Sequence, residues 1–136
     1  MVLLHEQKIK FSSRIENLIQ VEKMVEEISE QMELNKDNFG NIMVAVSEAV
    51  TNAIQHGNKN NPEKNVLVNF TPTESYISFI IEDEGTGFDY NSLPDPTLPE
   101  NIEKPSGRGV YLMKHLADLV NFNNNGSSIE LRFYLK

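Results

Sequence analysis

The sequence predicts an α/β protein, a two-layer α/β sandwich in which one mixed sheet packs on a helical layer. Two observations point there. Apolar residues follow a period of two in some segments and a helical period in others, in the order strand, two helices, two strands, long loop, helix, two strands. The 136 residues contain no internal repeat, and this length suits a single domain, residues 1–136, that can bury about two-thirds of the surface its unfolded chain exposes.

The elements follow in chain order. In "KIKFSS", Lys8 to Ser13, Ile9 and Phe11 alternate with polar residues, which predicts a short strand. Ser13 with Glu16 three residues later has the form of a capping box. It would open a helix whose stripe of Ile15, Leu18, Ile19, Val21, Val25 and Ile28 runs to about Leu34. The acids between these positions, from Glu16 to Glu33, are expected to form a solvated face, with a partner-binding surface as the alternative. "NKDNFG" breaks and restarts the chain, and a second helix is expected from about Asp37 to His56, with Gly57 as its C′ residue. Beyond the polar loop "NKNNPEKN", the strands "VLVNF" and "YISFIIED" are joined by "TPTES" as a hairpin. Residues 84 to 107 are poor in apolar groups, and four of the six prolines lie between Pro94 and Pro105. A loop of that length in a small domain is functional or disordered. "GVYLMKHLADL" then predicts a short helix, and "LVNFN" with "SSIELRFYL" a closing hairpin around Gly126.

Composition excludes several classes. The chain has no cysteine, hence no disulfide framework and no thiolate metal site, and His5, His56 and His115 are not spaced as a zinc set. A formal net charge of −8 argues against nucleic acid as a partner, because phosphate backbones are bound by basic patches. "MVLLHEQKIK" has only a short apolar run before charge returns. No signal peptide, no membrane span and a cytoplasmic location are therefore expected.

Three clusters carry chemistry. In "VSEAVTNAIQHGNKN", Glu48, Asn52 and His56 stand at four-residue steps and share one side of the second helix with Asn41, Ala45 and Gln55. Ile42, Met43, Val46, Ala49, Val50, Ala53 and Ile54 occupy the opposite side. A polar side built of Glu, Asn and Ala leaves room for a ligand in a way that Lys and long Glu arrays do not. In "YISFIIEDEGTGFD", Asp83 continues the parity of Ile77, Phe79 and Ile81, which points its carboxylate toward the helical layer. Such a carboxylate needs a donor, and an exocyclic amine such as that of adenine supplies one. Gly85 and Gly87 follow, where the backbone needs positive φ or a close approach to a ligand. In "PSGRGVYLM", Gly107 and Gly109 open a helix whose free N–H groups and dipole suit a phosphate. No P-loop pattern is present.

Taken together, Glu-x-x-x-Asn ahead of Gly57, Asp-x-Gly-x-Gly after a strand, a proline-rich loop and Gly-x-Gly into a helix resemble the GHKL ATPase superfamily, with its Bergerat α/β sandwich. "SEAVTNAIQHG" is most similar to the anti-sigma-factor serine/threonine kinases. The resemblance covers nearly the whole chain. It implies ATP and Mg²⁺ as cofactors, and an anti-sigma-factor antagonist as the protein phosphorylated on serine. It leaves a sigma factor as second partner, and a homodimer, open. Asn52 would hold Mg²⁺, Glu48 would be the catalytic base, and Asp83 would take the adenine amine. Gly85 and Gly87 would let the backbone close on the base, and Gly107 and Gly109 would hinge an ATP lid at 88–106. Ser128, in "GSSIE", falls where the family tends to place a hydroxyl near the adenine, and His56 is assigned to packing or capping. The family's kinases often carry an Arg just before Ser-Gly in the lid. Here Lys104 and Pro105 precede Ser106, and Arg108 between the glycines is the candidate for the terminal phosphate, with a solvent-exposed role as the alternative. Two other readings compete: a nucleotide-dependent binding module without phosphotransfer, and a free-standing ATP-binding domain of the histidine-kinase type. Against the latter, the chain has no long two-helix segment carrying a phosphoacceptor histidine.

Overall fold

Strand pairing sets the frame on which everything else sits. The computed structural model describes residues 5–85 and 108–135. The expected lid at 88–106, Gly87, Gly107 and the side chain of Arg108 lie outside the described residues. The chain runs β1 (Gln7–Ser12), α1 (Leu18–Met32), α2 (Lys36–Asn52), β2 (Asn65–Pro72), β3 (Tyr76–Glu82), α3 (Arg108–Leu116), β4 (Leu119–Asn123) and β5 (Ser128–Tyr134). The sheet order is β1-β2-β3-β5-β4.

The expected mixed sheet is corrected, because all four pairings are antiparallel. β4 does run in the same direction as β3, as a helical connection between them demands. But β5 turns back around Gly126, whose φ is 95°, and takes the place between them.

The register sorts the two faces of the sheet. Phe11, Val66, Val68, Phe70, Ile77, Phe79, Ile81, Ile129, Leu131 and Phe133 pair in successive rows on one face, and all are buried. Against them pack Val21, Met24, Val25 and Ile28 of α1 and Ile42, Val46, Ala49 and Val50 of α2, forming one core. Burying a side chain of this size is worth about 1.5–3 kcal/mol. Phe79 sits at the centre, its ring 5.2 Å from that of Phe70 and 6.2 Å from that of Phe133.

The helix ends depart from expectation in ways that matter for the site. Ser13 does not cap α1. Its hydroxyl donates to Lys64 O at 2.7 Å, so the chain enters the helix through a 3₁₀ turn at Ile15–Asn17 instead. α2 is capped by Asn35, whose side chain accepts the Asn38 N–H at 2.8 Å. Its far end is not closed by Gly57 in a left-handed cap. The helix widens into a π turn, Ala53–Gly57, in which the Asn58 N–H reaches Ala53 O at 2.9 Å, and Asn58 is the terminal residue with φ −93°. π turns of this kind concentrate at functional sites.

Candidate active site

Glu48 and Asn52 stand one turn apart on α2, and both are half-buried. At these two positions the helix does not face open solvent, because α3 packs on α2. Ala45, grouped with the polar side by its helical position, is fully buried, whereas Asn41, Gln55 and His56 on that side are exposed. The first turn of α3 approaches so closely that a Cβ on Gly109 would lie 2.8 Å from Glu48 Oε2, 3.2 Å from Asn52 Nδ2 and 3.3 Å from Asn52 Oδ1. Any side chain at Gly109 would displace the carboxylate. The glycine therefore brings a helix N-terminus directly onto an acid and an amide.

A second group forms where α2 ends and β3 ends. Asp83, half-buried, continues from β3 on the core side as its parity requires, and its N–H donates to Ser127 O at 2.9 Å. The Gly85 N–H donates to Asp83 Oδ1 at 2.8 Å. A Cβ on Gly57 would sit 2.3 Å from the Asp83 carboxyl carbon, and one on Gly85 would sit 2.0 Å from Gly57 O. Both glycines are thus required by close approach. Neither has positive φ, since Gly126 is the glycine with that conformation among the described residues. Burial raises the Asp83 pKa above its ordinary value, and the Gly85 N–H and the charge of Lys64 oppose that rise without cancelling it.

From Glu48 to Gly57 is nine residues, on the order of 13 Å of helix. The two groups therefore mark the two ends of an elongated site along α2. Not every expected residue joins it. Ser128 is buried, but it pairs with Glu82 and Asn123, which puts it on the sheet face away from the helices. The neighbouring Ser127 accepts the Asp83 N–H through its backbone carbonyl, and its hydroxyl donates to Asn124 O at 2.9 Å. His56, expected to pack or cap, is exposed. Asn58, in the stretch that reads as a polar loop, is 1% exposed, with both amide N–H groups and its side-chain oxygen bonded. Among the described residues, no group of three His, Cys, Asp or Glu could hold a metal ion. The oxygen donors of Asn52 and Glu48 still suit a hard cation that keeps most of its shell in phosphates and water.

An antiparallel sheet backed by helices, with a Glu–Asn pair on one helix and an Asp followed by glycine at a strand end, defines a nucleotide-binding domain of the GHKL type. The chain matches the histidine kinase-like ATPase domain over residues 11–133 and belongs to that family. It is similar to the serine-protein kinase RsbW of Bacillus subtilis, with 32% identity over 117 residues, covering 79% of this chain and 72% of the relative. The Staphylococcus aureus protein of the same name is 33% identical over 108 residues, covering 74% and 68%. That of Oceanobacillus iheyensis is 31% identical over 103 residues, covering 71% of this chain but 65% of the relative's own length. Among the described residues, no helix is long and apolar enough to cross a membrane.

Proposed function

We propose that this chain is an ATP-dependent serine/threonine protein kinase of the anti-sigma-factor type, which phosphorylates an antagonist protein in a partner-switching system. The observation that carries the reading is Gly109, which brings the α3 N-terminus onto Glu48 and Asn52. An acid and an amide one turn apart, beneath the first turn of a helix, suit phosphoryl transfer. Family membership and the names of the relatives support it.

In this reading Asp83 accepts from the adenine amine, with Gly57 and Gly85 leaving room beside it. Asn52 offers its amide oxygen to Mg²⁺, which supplies charge neutralisation for the phosphates when bound. Glu48 takes the proton of a serine hydroxyl as that oxygen bonds to the terminal phosphorus. The bond to the bridging oxygen breaks, and ADP leaves with its electron pair. Arg108, Gly107 and Gly87 are assigned to the phosphates and the base side by the resemblance alone. Ser128 has no part in this assignment, because its register turns it to the other face.

The test is to incubate the protein with Mg²⁺, ATP labelled on the terminal phosphate and candidate antagonist proteins from the same genome. Label on a serine of one of them, dependent on Glu48, is the expected result. Tight ATP binding with no transfer to any candidate would leave a nucleotide-dependent binding module. No ATP binding would remove the reading altogether.

A further inference from the structure

Asn58 is a buried side chain that the activity described above does not use. It follows the π turn directly and is 1% exposed. Its amide nitrogen donates to Ser13 Oγ at 2.7 Å and to Asn65 O at 2.9 Å, while its oxygen accepts the Glu84 N–H at 2.8 Å. These partners leave one orientation, since Asn65 O can only accept and the Glu84 N–H can only donate. Ser13 in turn donates to Lys64 O, and the Glu84 carboxylate accepts the Asn65 N–H, so the network closes on itself. A buried amide with both N–H groups and its oxygen bonded defines a single geometry for what it joins.

What it joins is the site. Glu84 stands between Asp83 and Gly85, and Gly57 precedes Asn58 in the chain. The contacts that seat the Asp83 carboxylate, against Gly57 on one side and the Gly85 N–H on the other, lie within one residue of an atom that Asn58 holds. Backbone distance there is critical, because a Cβ on Gly85 would fall 2.0 Å from Gly57 O.

We propose that Asn58 is a positioning residue for base recognition, holding the α2 end against the Asp83–Gly85 turn so that the Asp83 carboxylate can select a purine carrying an exocyclic amine. The proposal rests on the ATP-site reading given above. A loop-closing asparagine with no such role would affect stability and all nucleotides alike. A positioning residue acts on the difference between nucleotides that do and do not offer the amine.

Calorimetry with Mg²⁺ and either ATP or inosine triphosphate, which has a carbonyl in place of the amine, separates the two. Native protein should prefer ATP by about tenfold to a hundredfold, the worth of a hydrogen bond to a charged group. Asn58→Ala, or Asn58→Ser, whose hydroxyl is too short to span the same partners, should lower that preference at least about fivefold. Ser13→Ala removes the far anchor but keeps the Asn58–Glu84 bond. It should lower the melting temperature and leave the preference as it was. Equal losses for both nucleotides in the Asn58 variants would overturn the proposal, as would native protein that binds both equally. Hydrogen exchange on the native protein provides a check that needs no variant. The Glu84 amide should be protected despite its exposed side chain, and an amide exchanging as freely as an open loop would also overturn it. Native protein that binds neither nucleotide would instead remove the ATP-site reading itself.

Discussion

Two carboxylates, one just past the end of β3 and one on the neighbouring β5, are treated by the protein in opposite ways. Glu130, on the outer face of the sheet, accepts from Ser78 Oγ at 2.8 Å and from Arg132 Nε at 2.7 Å. Arg132 is itself held over the Tyr76 ring, 4.6 Å from its centroid. Burial would raise the Glu130 pKa, but the hydrogen bonds from Arg132 and Ser78 and the charge of Arg132 outweigh it and hold the carboxyl below its ordinary value. For Asp83, just past the inner end of β3, burial outweighs the Gly85 N–H and the charge of Lys64. Among the described residues, Glu130 accepts from two side chains, whereas Asp83 accepts from one backbone N–H. In the function proposed above, the adenine amine is the donor that the Asp83 carboxylate takes.

The sharpest break in that comparison is chemical. Glu48→Gln retains size and hydrogen bonding but removes the base. It should lower phosphotransfer by about 10²–10⁴-fold with ATP affinity nearly intact, with the low end favoured because a loose transition state needs a base less. Glu130→Gln should leave transfer unchanged. Quantified label on the substrate protein reads both, and a Glu48 variant at the native rate would exclude that residue as the base.

Next in size is affinity. Asp83→Asn offers the adenine amine one neutral acceptor and should weaken ATP binding by about tenfold to a hundredfold, by calorimetry. Asn52→Ala should weaken binding only where Mg²⁺ is present, so the titration is run with and without the ion. Unchanged affinity in either variant removes that residue from the site.

The smallest effects are on stability, and they have opposite signs. The folded Asp83 pKa is raised above 3.8, so the native state holds that proton more tightly than the unfolded chain. Its contribution is complete below 3.8 and is lost as pH rises through the folded value. Asp83→Asn should therefore raise the neutral-pH melting temperature of the nucleotide-free protein while it weakens binding. The folded Glu130 pKa lies below 4.5, so its stabilisation is present above 4.5 and lost as pH falls through the folded value. Glu130→Gln should cost about 1 kcal/mol or less at neutral pH, the range for a partly screened pair, and should flatten the acid side of the stability profile. Thermal melts across pH, without nucleotide, check both. Melts that shift in the same direction would dissolve the contrast.

Much of this architecture was legible in the chain itself, because the governing patterns are short in range. Apolar spacing of two or of three to four residues located each strand and α-helix of the described residues, and put Glu48 above Asn52 on one helix and Asp83 on the core side at the end of its strand. What escaped depends on partners far apart in sequence. Ser13 has the local signature of a cap, but Lys64, 51 residues away, takes its hydroxyl. Asn58 sits in a run that resembles any polar loop, and its partner Ser13 is 45 residues away. Gly57 looks like a helix-ending glycine, and only the fold shows that Asp83 occupies the space its side chain would need. Of the adjacent Ser127 and Ser128, strand register alone decides which one meets Asp83. The sequence by itself determined which elements form and which polar groups each presents, since local backbone geometry dictates periodicity. The tertiary structure decided which of those groups meet, since hydrogen bonds and close approaches between distant segments exist only once the sheet has paired and the helices have packed on it.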